Sequence, residues 1–399
     1  LDIKKEKNIS LPKKTLLGIQ MLFVAFGATV LVPLLIGIDP SVALFTAGLG
    51  TLIFHLITGG IVPIFLGSSF VFIVPIIAAT QLYGYSGALS GLIAVGLVFI
   101  IVSLIIRKKG IVFIKKIFPP IVVGPVIMVI GLSLSSTAVE MSSHNWILAS
   151  ITLITAIIIS VFGKRTIKLL PIIGSIIFTY IIAMIFGMVD YSSIISASWI
   201  SLPNFITPTF SLGAILLIIP VAIAPMIEHV GDMYAISKAT GKDFIKKPGI
   251  HKTMLGDGLT TIIAALFGGP PNTTYSEVTG AIVLTKLKDP MILRISAITA
   301  ICFAFIGKIS GFLQTIPDSI LGGTLILLFG MITIVGIKSI VESTTNLNKT
   351  KNMIIAGVML TIGVGGAVIS SGTFSIEGVG LASIVGIVLN LVLPEKEII

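Results

Sequence analysis

Apolar runs of about 20 residues follow one another along this chain, separated by short polar links. A run of that length is what an α-helix needs to cross a hydrocarbon layer of ~30 Å. Inside such a layer every backbone polar group must be paired without help from water, so each run is expected to be a helix unless something specific breaks it. The chain is 55 % hydrophobic and 11 % charged, too few charges to cover a water-soluble body of this size. The longest polar interval, 189–211, is itself rich in Ile, Phe and Pro, so no soluble domain is expected. The expected class is an all-α polytopic membrane protein.

The runs lie near 15–37, 41–60, 61–82, 85–106, 111–137, 146–163, 168–188, 212–236, 250–268, 272–286, 291–314, 318–341, 351–369 and 375–394, which makes fourteen. Basic residues sort to one side of them. Lys4, Lys5, Lys7, Lys13 and Lys14 precede the first run. Arg107, Lys108, Lys109, Lys115 and Lys116 follow the fourth, and Lys164, Arg165 and Lys168 the sixth. Lys238, Lys242, Lys246, Lys247 and Lys252 follow the eighth, and Lys286, Lys288 and Arg294 the tenth. Lys338, Lys349, Lys351 and Lys396 complete the set, and Lys308 alone lies opposite. The positive-inside rule then places both termini in the cytoplasm. Trp146 and Trp199 fall on the other side, as interfacial anchors do. The formal charge of +10 is thus topology rather than a nucleic-acid footprint. No small-residue cleavage site follows the basic N-terminal stretch, so no signal peptide is expected. Cys302, the single cysteine, lies in an apolar run as a small filler and excludes an intramolecular disulfide or a multi-cysteine metal site.

Four acids stand inside apolar runs, all between positions 228 and 277: Glu228, Asp232, Asp257 and Glu277. An Asp at the centre of a membrane helix costs roughly 2.5–3.5 kcal/mol on insertion scales, so such groups mark a cavity that handles a polar substrate, a proton or an ion. Two runs are also broken in the same manner. One reads Gly59-Gly60-Ile-Val-Pro63-Ile-Phe-Leu-Gly67-Ser68-Ser69-Phe70, and the other Gly268-Gly269-Pro270-Pro271-Asn272-Thr273-Thr274-Tyr275-Ser276-Glu277. Glycine weakens helix and proline removes a donor, so the first half of each segment is expected to be extended. Ser68, Ser69, Thr274 and Ser276 are expected to cap the half-helices that follow. The fifth and twelfth runs match more loosely, through Pro119-Pro120 with Gly124 and Gly131 and through Pro317 with Gly322, Gly323 and Gly330. These glycines are expected to let facing helices approach and slide. Both pairings are offset by seven runs, an odd number, so the two halves have opposite orientation: a 7+7 inverted repeat. Paired broken helices in such repeats point to a transporter's binding site.

The pieces GSSFVFIVP at 67–75, EHVGD at 228–232, LGDG at 255–258, GGPPNTTYSEVTG at 268–280 and LGGTLILLFGM at 321–331 carry a resemblance. At these residues the chain resembles the nucleobase–ascorbate transporter family, closest to its bacterial uracil permeases, and the likeness runs from Gly18 to the last span. The resemblance implies fourteen spans, with two short antiparallel strands in the broken third and tenth. It implies a core domain over 15–106 and 212–314 and a gate domain over 107–188 and 315–395. It also implies a substrate site between the strands and the domain interface, proton coupling, and a homodimer through the gate. The chain departs from the family pattern at Asp232, where a His is usual, at Val278 for Asn, at Phe329 for an aromatic hydroxyl, and at Met21 for a His.

For a pyrimidine, Glu228 and Glu277 supply acceptors for ring N–H groups. The first amides of the half-helices, near Phe70 and Ser276, supply donors for its carbonyls. Phe70 and Tyr275 offer ring faces, and Ser69 either bonds substrate or only caps. Asp232, four residues after Glu228, shares its helix face, and two acids so close hold one proton more readily than two charges. That pair is expected to take up the coupling proton; otherwise Asp232 reaches cytoplasmic water near Lys238. Asp257 braces the core or joins a proton relay. His229 points away from the Glu228 stripe into the core, and His55 is structural. Sodium held by strand carbonyls and Glu277 is the competing coupling ion. A purine such as xanthine is the runner-up substrate, and an anion transporter or channel of the same repeat is the alternative class. No HEXXH-like or cysteine-rich spacing marks an enzyme, and no cofactor is expected.

Overall fold

The structure, a computed structural model, describes residues 10–110, 119–164, 167–343, 345–371 and 374–394. Lys4, Lys5, Lys7, Lys115, Lys116, Arg165 and Lys396 lie outside the described residues, as does the start of the expected fifth run. In chain order the elements are α1 (Leu11–Ile36), α2 (Pro40–Ile57), β1 (Leu66–Ser68), α3 (Ile73–Lys109), α4 (Pro120–Ser143), α5 (Trp146–Phe162) and α6 (Pro171–Ile185). There follow α7 (Ser192–Ser196), α8 (Leu212–Ile218), α9 (Ile223–Thr240), α10 (Ile250–Leu266), β2 (Asn272–Thr274), α11 (Ser276–Thr285) and α12 (Pro290–Ala304). The chain closes with α13 (Gly307–Gln314), α14 (Asp318–Val341), α15 (Thr350–Val364), β3 (Val368–Ser371), β4 (Phe374–Glu377) and α16 (Gly378–Val392).

Among the described residues, six helical stretches are long and apolar enough to cross a membrane, and α12 with α13, bent by 82°, would make a seventh. The count is below fourteen because the expected third and fourth runs form one stretch, Phe70–Lys109, and because α5, α6, α15 and α16 are apolar but shorter. Gly84, at φ 72°, breaks α3 between the expected third and fourth runs. Pro220 falls in a 3₁₀ turn, Ile219–Ala222, between α8 and α9, so the expected continuous eighth run is two helices. Proline has no N–H for the ladder, which explains the break. The β3–β4 hairpin is an element that the apolar pattern does not announce; it occupies the junction assigned to the ends of runs thirteen and fourteen. Cys302, expected as a small filler in an apolar run, is exposed on α12.

Helix starts carry the local signals. Proline opens α2, α4, α6 and α12, where a missing N–H costs nothing. Asp39, Asn145 and Asp289 cap α2, α5 and α12 through their side chains. Two groups of helices result. One packs α3 against α8 and α10, and α12 against α1 and α2; the other packs α14 against α4 and α5, and α15 against α16 and α4. Gly124 lies on Gly336 and Ile340, and Gly322 on Ser142, so these glycines join α4 to α14 inside the second group. The contact lies within the second group, and Gly330 faces open space.

Lys14 Nζ lies 2.7 Å from Asp289 Oδ2, tying the start of α1 to the start of α12. Burial alone would raise the Asp289 carboxyl, but hydrogen bonds from Lys14 and the Met291 amide, and the nearby charges of Lys14 and Arg294, hold it below its ordinary value. A lowered carboxylate stabilises the fold at neutral pH, and that contribution is lost as pH falls through the lowered value. Asp289→Asn should therefore lower the unfolding temperature by about 1–3 °C at pH 7. Thermal unfolding in detergent should show the gap to wild type closing as pH falls through the lowered carboxylate value.

Candidate functional site

β1 and β2 pair antiparallel across the repeat, with Leu66 opposite Thr274, Gly67 opposite Thr273 and Ser68 opposite Asn272. Three residues a side cannot satisfy their own outer edges, and unpaired backbone at membrane depth is costly. Hydroxyls from neighbouring helices close the account. Thr51 of α2 accepts from the Leu66 amide at 2.9 Å and donates to the Leu66 carbonyl at 3.3 Å. Thr261 of α10 donates to the Asn272 carbonyl at 3.0 Å, the same service to the opposite strand. The chain ends of the pair are joined by Ser69 N to Pro271 O at 3.0 Å and Tyr275 N to Phe65 O at 3.2 Å. Asn272 Nδ2 donates to the Thr46 carbonyl at 2.8 Å.

Among the described side chains, the expected hydroxyl caps are not formed. Ser69 precedes a 3₁₀ turn, Phe70–Phe72, without a side-chain cap bond, and Tyr275, not a hydroxyl of Ser or Thr, precedes α11. Ser68 Oγ donates instead to the Thr29 carbonyl at 3.2 Å, and Thr274 Oγ1 to Asp232 Oδ2 at 3.0 Å. Cross-helix bonds win because these side chains alternate along strands and point away from the turn that follows. The side chain of Ser276 lies outside the described residues.

A cavity of about 420 Å³ opens beside the strand ends. Ser68, Ser69 and Phe70 line it from the first broken segment, Thr273, Thr274, Tyr275 and Glu277 from the second, and Glu228 from α9. The structure thus brings Ser69, Phe70, Glu228, Tyr275 and Glu277 to one place. The facing wall, from α4 and α14, is aliphatic: Ile127, Ile130, Leu327, Leu328 and Met331. The cavity extends to Lys168 and Leu284.

Tyr275 differs from expectation in one respect. Its hydroxyl donates to the Ser68 carbonyl at 2.9 Å, and its ring lies over Gly67, whose added Cβ would be 2.6 Å from Tyr275 Cε2. The ring braces the strand pair as much as it borders the cavity. Phe70 packs edge-on against Phe329 of α14, ring centroids 6.0 Å apart.

Asp232 is 5 % exposed and held by Thr274, so it does not reach water near Lys238. Asp257 is fully buried behind β2 and does not line the cavity. Its Oδ2 lies 2.9 Å from His229 Nδ1 and 3.4 Å from the Thr274 amide, and His229 Nε2 lies 2.8 Å from Thr253 Oγ1. Sequence reasoning puts His229 in the core but misses its partner. A signal exists: Thr253 and Asp257 are four apart and share one face of α10.

Residues 12–372 match the profile of the Permease family, that of xanthine and uracil permeases. The chain belongs to the nucleobase–ascorbate transporter family. Within that family it is 46 % identical to a probable uracil permease of Haemophilus influenzae, over 98 % of this chain and 97 % of the relative. It is 42 % identical to a uracil permease of Bacillus subtilis, over 95 % and 92 %. A uracil permease of Escherichia coli is 38 % identical, over 94 % and 90 %. Solved structures share the inverted-repeat fold of this nucleobase–ascorbate transporter. SLC26A9 superposes with a TM-score of 0.72 at 12 % identity, covering 98 % of this chain and 66 % of that one. The transmembrane domain of the cyanobacterial bicarbonate transporter BicA gives 0.66 at 15 %, covering 96 % and 98 %. Those two likenesses speak for the fold alone.

Proposed function

We propose that this chain is a proton-coupled symporter that imports a nucleobase, uracil in the first instance, across the cytoplasmic membrane, with both termini inside. The observation that carries the reading is one cavity at the paired strand ends that collects two carboxylates, Glu228 and Glu277, and the Phe70 ring. Uracil is flat, with two N–H donors and two carbonyl acceptors. The carboxylates accept from the N–H groups, and the first-turn amides of the 3₁₀ turn and α11 donate to the carbonyls. Ser69 adds a hydroxyl, and the Phe70 face covers the ring.

The first helix group then acts as the core and the second as the gate. All the polar groups above come from the core; the α4 and α14 wall gives the substrate only apolar contact. That wall disfavours a purine, whose imidazole edge would lose its hydrogen bonds there. An anion site would set a cation at the half-helix starts, where this cavity has Glu228 and Glu277. Glu228 and the buried Asp232, one helical turn apart, share the coupling proton: taking it up removes repulsion and permits the neutral base to bind. Coupling by protons needs no cage of oxygens, which sodium would. A homodimer through the gate helices belongs to the same reading.

Purified protein in liposomes should accumulate labelled uracil when the lumen is made alkaline. Thymine should compete, and xanthine, hypoxanthine and ascorbate should compete poorly. Uptake driven by a sodium gradient with no dependence on pH would overturn the proton role, and strong competition by xanthine would overturn the pyrimidine assignment.

A further inference from the structure

The two extended segments that feed the strands are each fixed at their outer end from across the repeat. Ahead of β1, Gly59 and Gly60 take φ of 69° and 67°, a reversal that glycine permits. Arg294, on α12, reaches this turn: its Nη2 donates to the Gly60 carbonyl at 2.7 Å and its Nε to His55 Nδ1 at 3.2 Å. His55 Nε2 lies 3.0 Å from the Ile64 carbonyl, two residues before β1. A carbonyl only accepts and a guanidinium only donates, so His55 is neutral, with its proton on Nε2. Arg294, His55 and the backbone of 60–64 therefore form one closed chain of bonds. Ahead of β2, Tyr85, from the other repeat, donates its hydroxyl to the Gly268 carbonyl at 2.9 Å. Neither Arg294 nor Tyr85 lines the cavity.

We propose that Arg294, locked by His55, and Tyr85 are positioning residues that set substrate affinity by holding the segments leading into β1 and β2. Ser68, Ser69 and Phe70 follow the first pinned segment within ten residues of Gly60, and Thr273 to Glu277 follow the second just as closely. Slack at either pin moves the cavity's polar groups as a set, and displacements near 1 Å cost about a hundredfold where several groups must act together. The two pins differ in kind: a charged fork needing a neutral imidazole ahead of β1, and a single hydroxyl ahead of β2. The proposal rests on the uracil reading for its affinity arm only.

The test uses the purified full chain in detergent and in liposomes. Tyr85→Phe removes one hydroxyl and keeps the ring, and Arg294→Met removes the fork while keeping the stem. Each should raise the KM for uracil about tenfold in the folded fraction, with Vmax changed less than threefold. Arg294→Lys should restore part of the loss, since one ammonium can reach the Gly60 carbonyl but cannot also serve His55 in the same geometry. Amides of residues 61–69 should exchange with solvent at least tenfold faster in Arg294→Met, and those of 269–275 in Tyr85→Phe. Wild-type KM together with wild-type exchange in the folded variants would overturn the proposal. If wild type takes no uracil, the exchange arm still decides: local acceleration at the named amides supports the pins, and uniform acceleration or none rejects them.

Discussion

Glu277→Ala should abolish uracil uptake while leaving a monodisperse protein with a near-normal unfolding temperature. Glu277 stands in the first turn of α11 with its side chain on the cavity, and truncation leaves a uracil N–H facing an empty place. A hydrogen bond to a charged group is worth about 1.5–3 kcal/mol, or roughly 10- to 150-fold in affinity. The stranded donor on the ligand adds its desolvation cost to that. Glu228→Gln separates the two roles given to the first carboxylate. The amide still accepts a hydrogen bond but cannot take up a proton, so binding should weaken by about tenfold and accumulation against a gradient should cease. Exchange of uracil between the two sides should then lose its dependence on pH. Equilibrium binding and liposome uptake, measured on the same preparation, check both variants.

Gly67→Ala should reduce uptake by about a hundredfold, a large effect for one methyl group. The new Cβ would lie 2.6 Å from Tyr275 Cε2 and 2.7 Å from its hydroxyl oxygen. The ring has no room to retreat: it is 4 % exposed, its hydroxyl donates to the Ser68 carbonyl at 2.9 Å, and Thr29 Oγ1 approaches it at 3.4 Å. Overpacking of this kind costs about 1–3 kcal/mol, and here the strain falls on the strand pair that presents Ser69 and Phe70. A site displaced by even ~1 Å loses about a hundredfold. Uptake normalised to folded protein is the reading, and wild-type activity in Gly67→Ala would show that the Tyr275 ring does not brace the site.

Gly67 and Glu277 lie in segments whose breaks are legible in the amino-acid order alone. Gly59-Gly60 with Pro63, and Gly268-Gly269 with Pro270 and Pro271, cannot continue a helix, and the hydroxyls after them mark where helix resumes. The four membrane acids are equally visible, because each is expensive where it stands. What those residues bond to is not legible. Thr51, Thr261 and Thr29 serve strands or a ring that they meet only once helices distant in sequence have packed. A threonine in an apolar run carries no sign of such a task. Local rules also misplace the Ser and Thr side chains: they point to caps for the next turn, whereas strand alternation turns Ser68 and Thr274 toward α1 and α9. Pro220 does announce a break in the eighth run, but the unbroken hydrophobicity around it outweighs that sign. The glycines of α4 and α14 predict close packing, and the structure shows it within one helix group.

The most direct measurement is a structure of the protein with uracil bound. The expected result is density for one flat ring in the cavity, its N–H groups within hydrogen-bond distance of Glu228 and Glu277 and its face against Phe70. The first amides of the turn at Phe70 and of α11 should meet the two carbonyls. A ring bound elsewhere, or an anion seated at those amides with both carboxylates turned away, would contradict it.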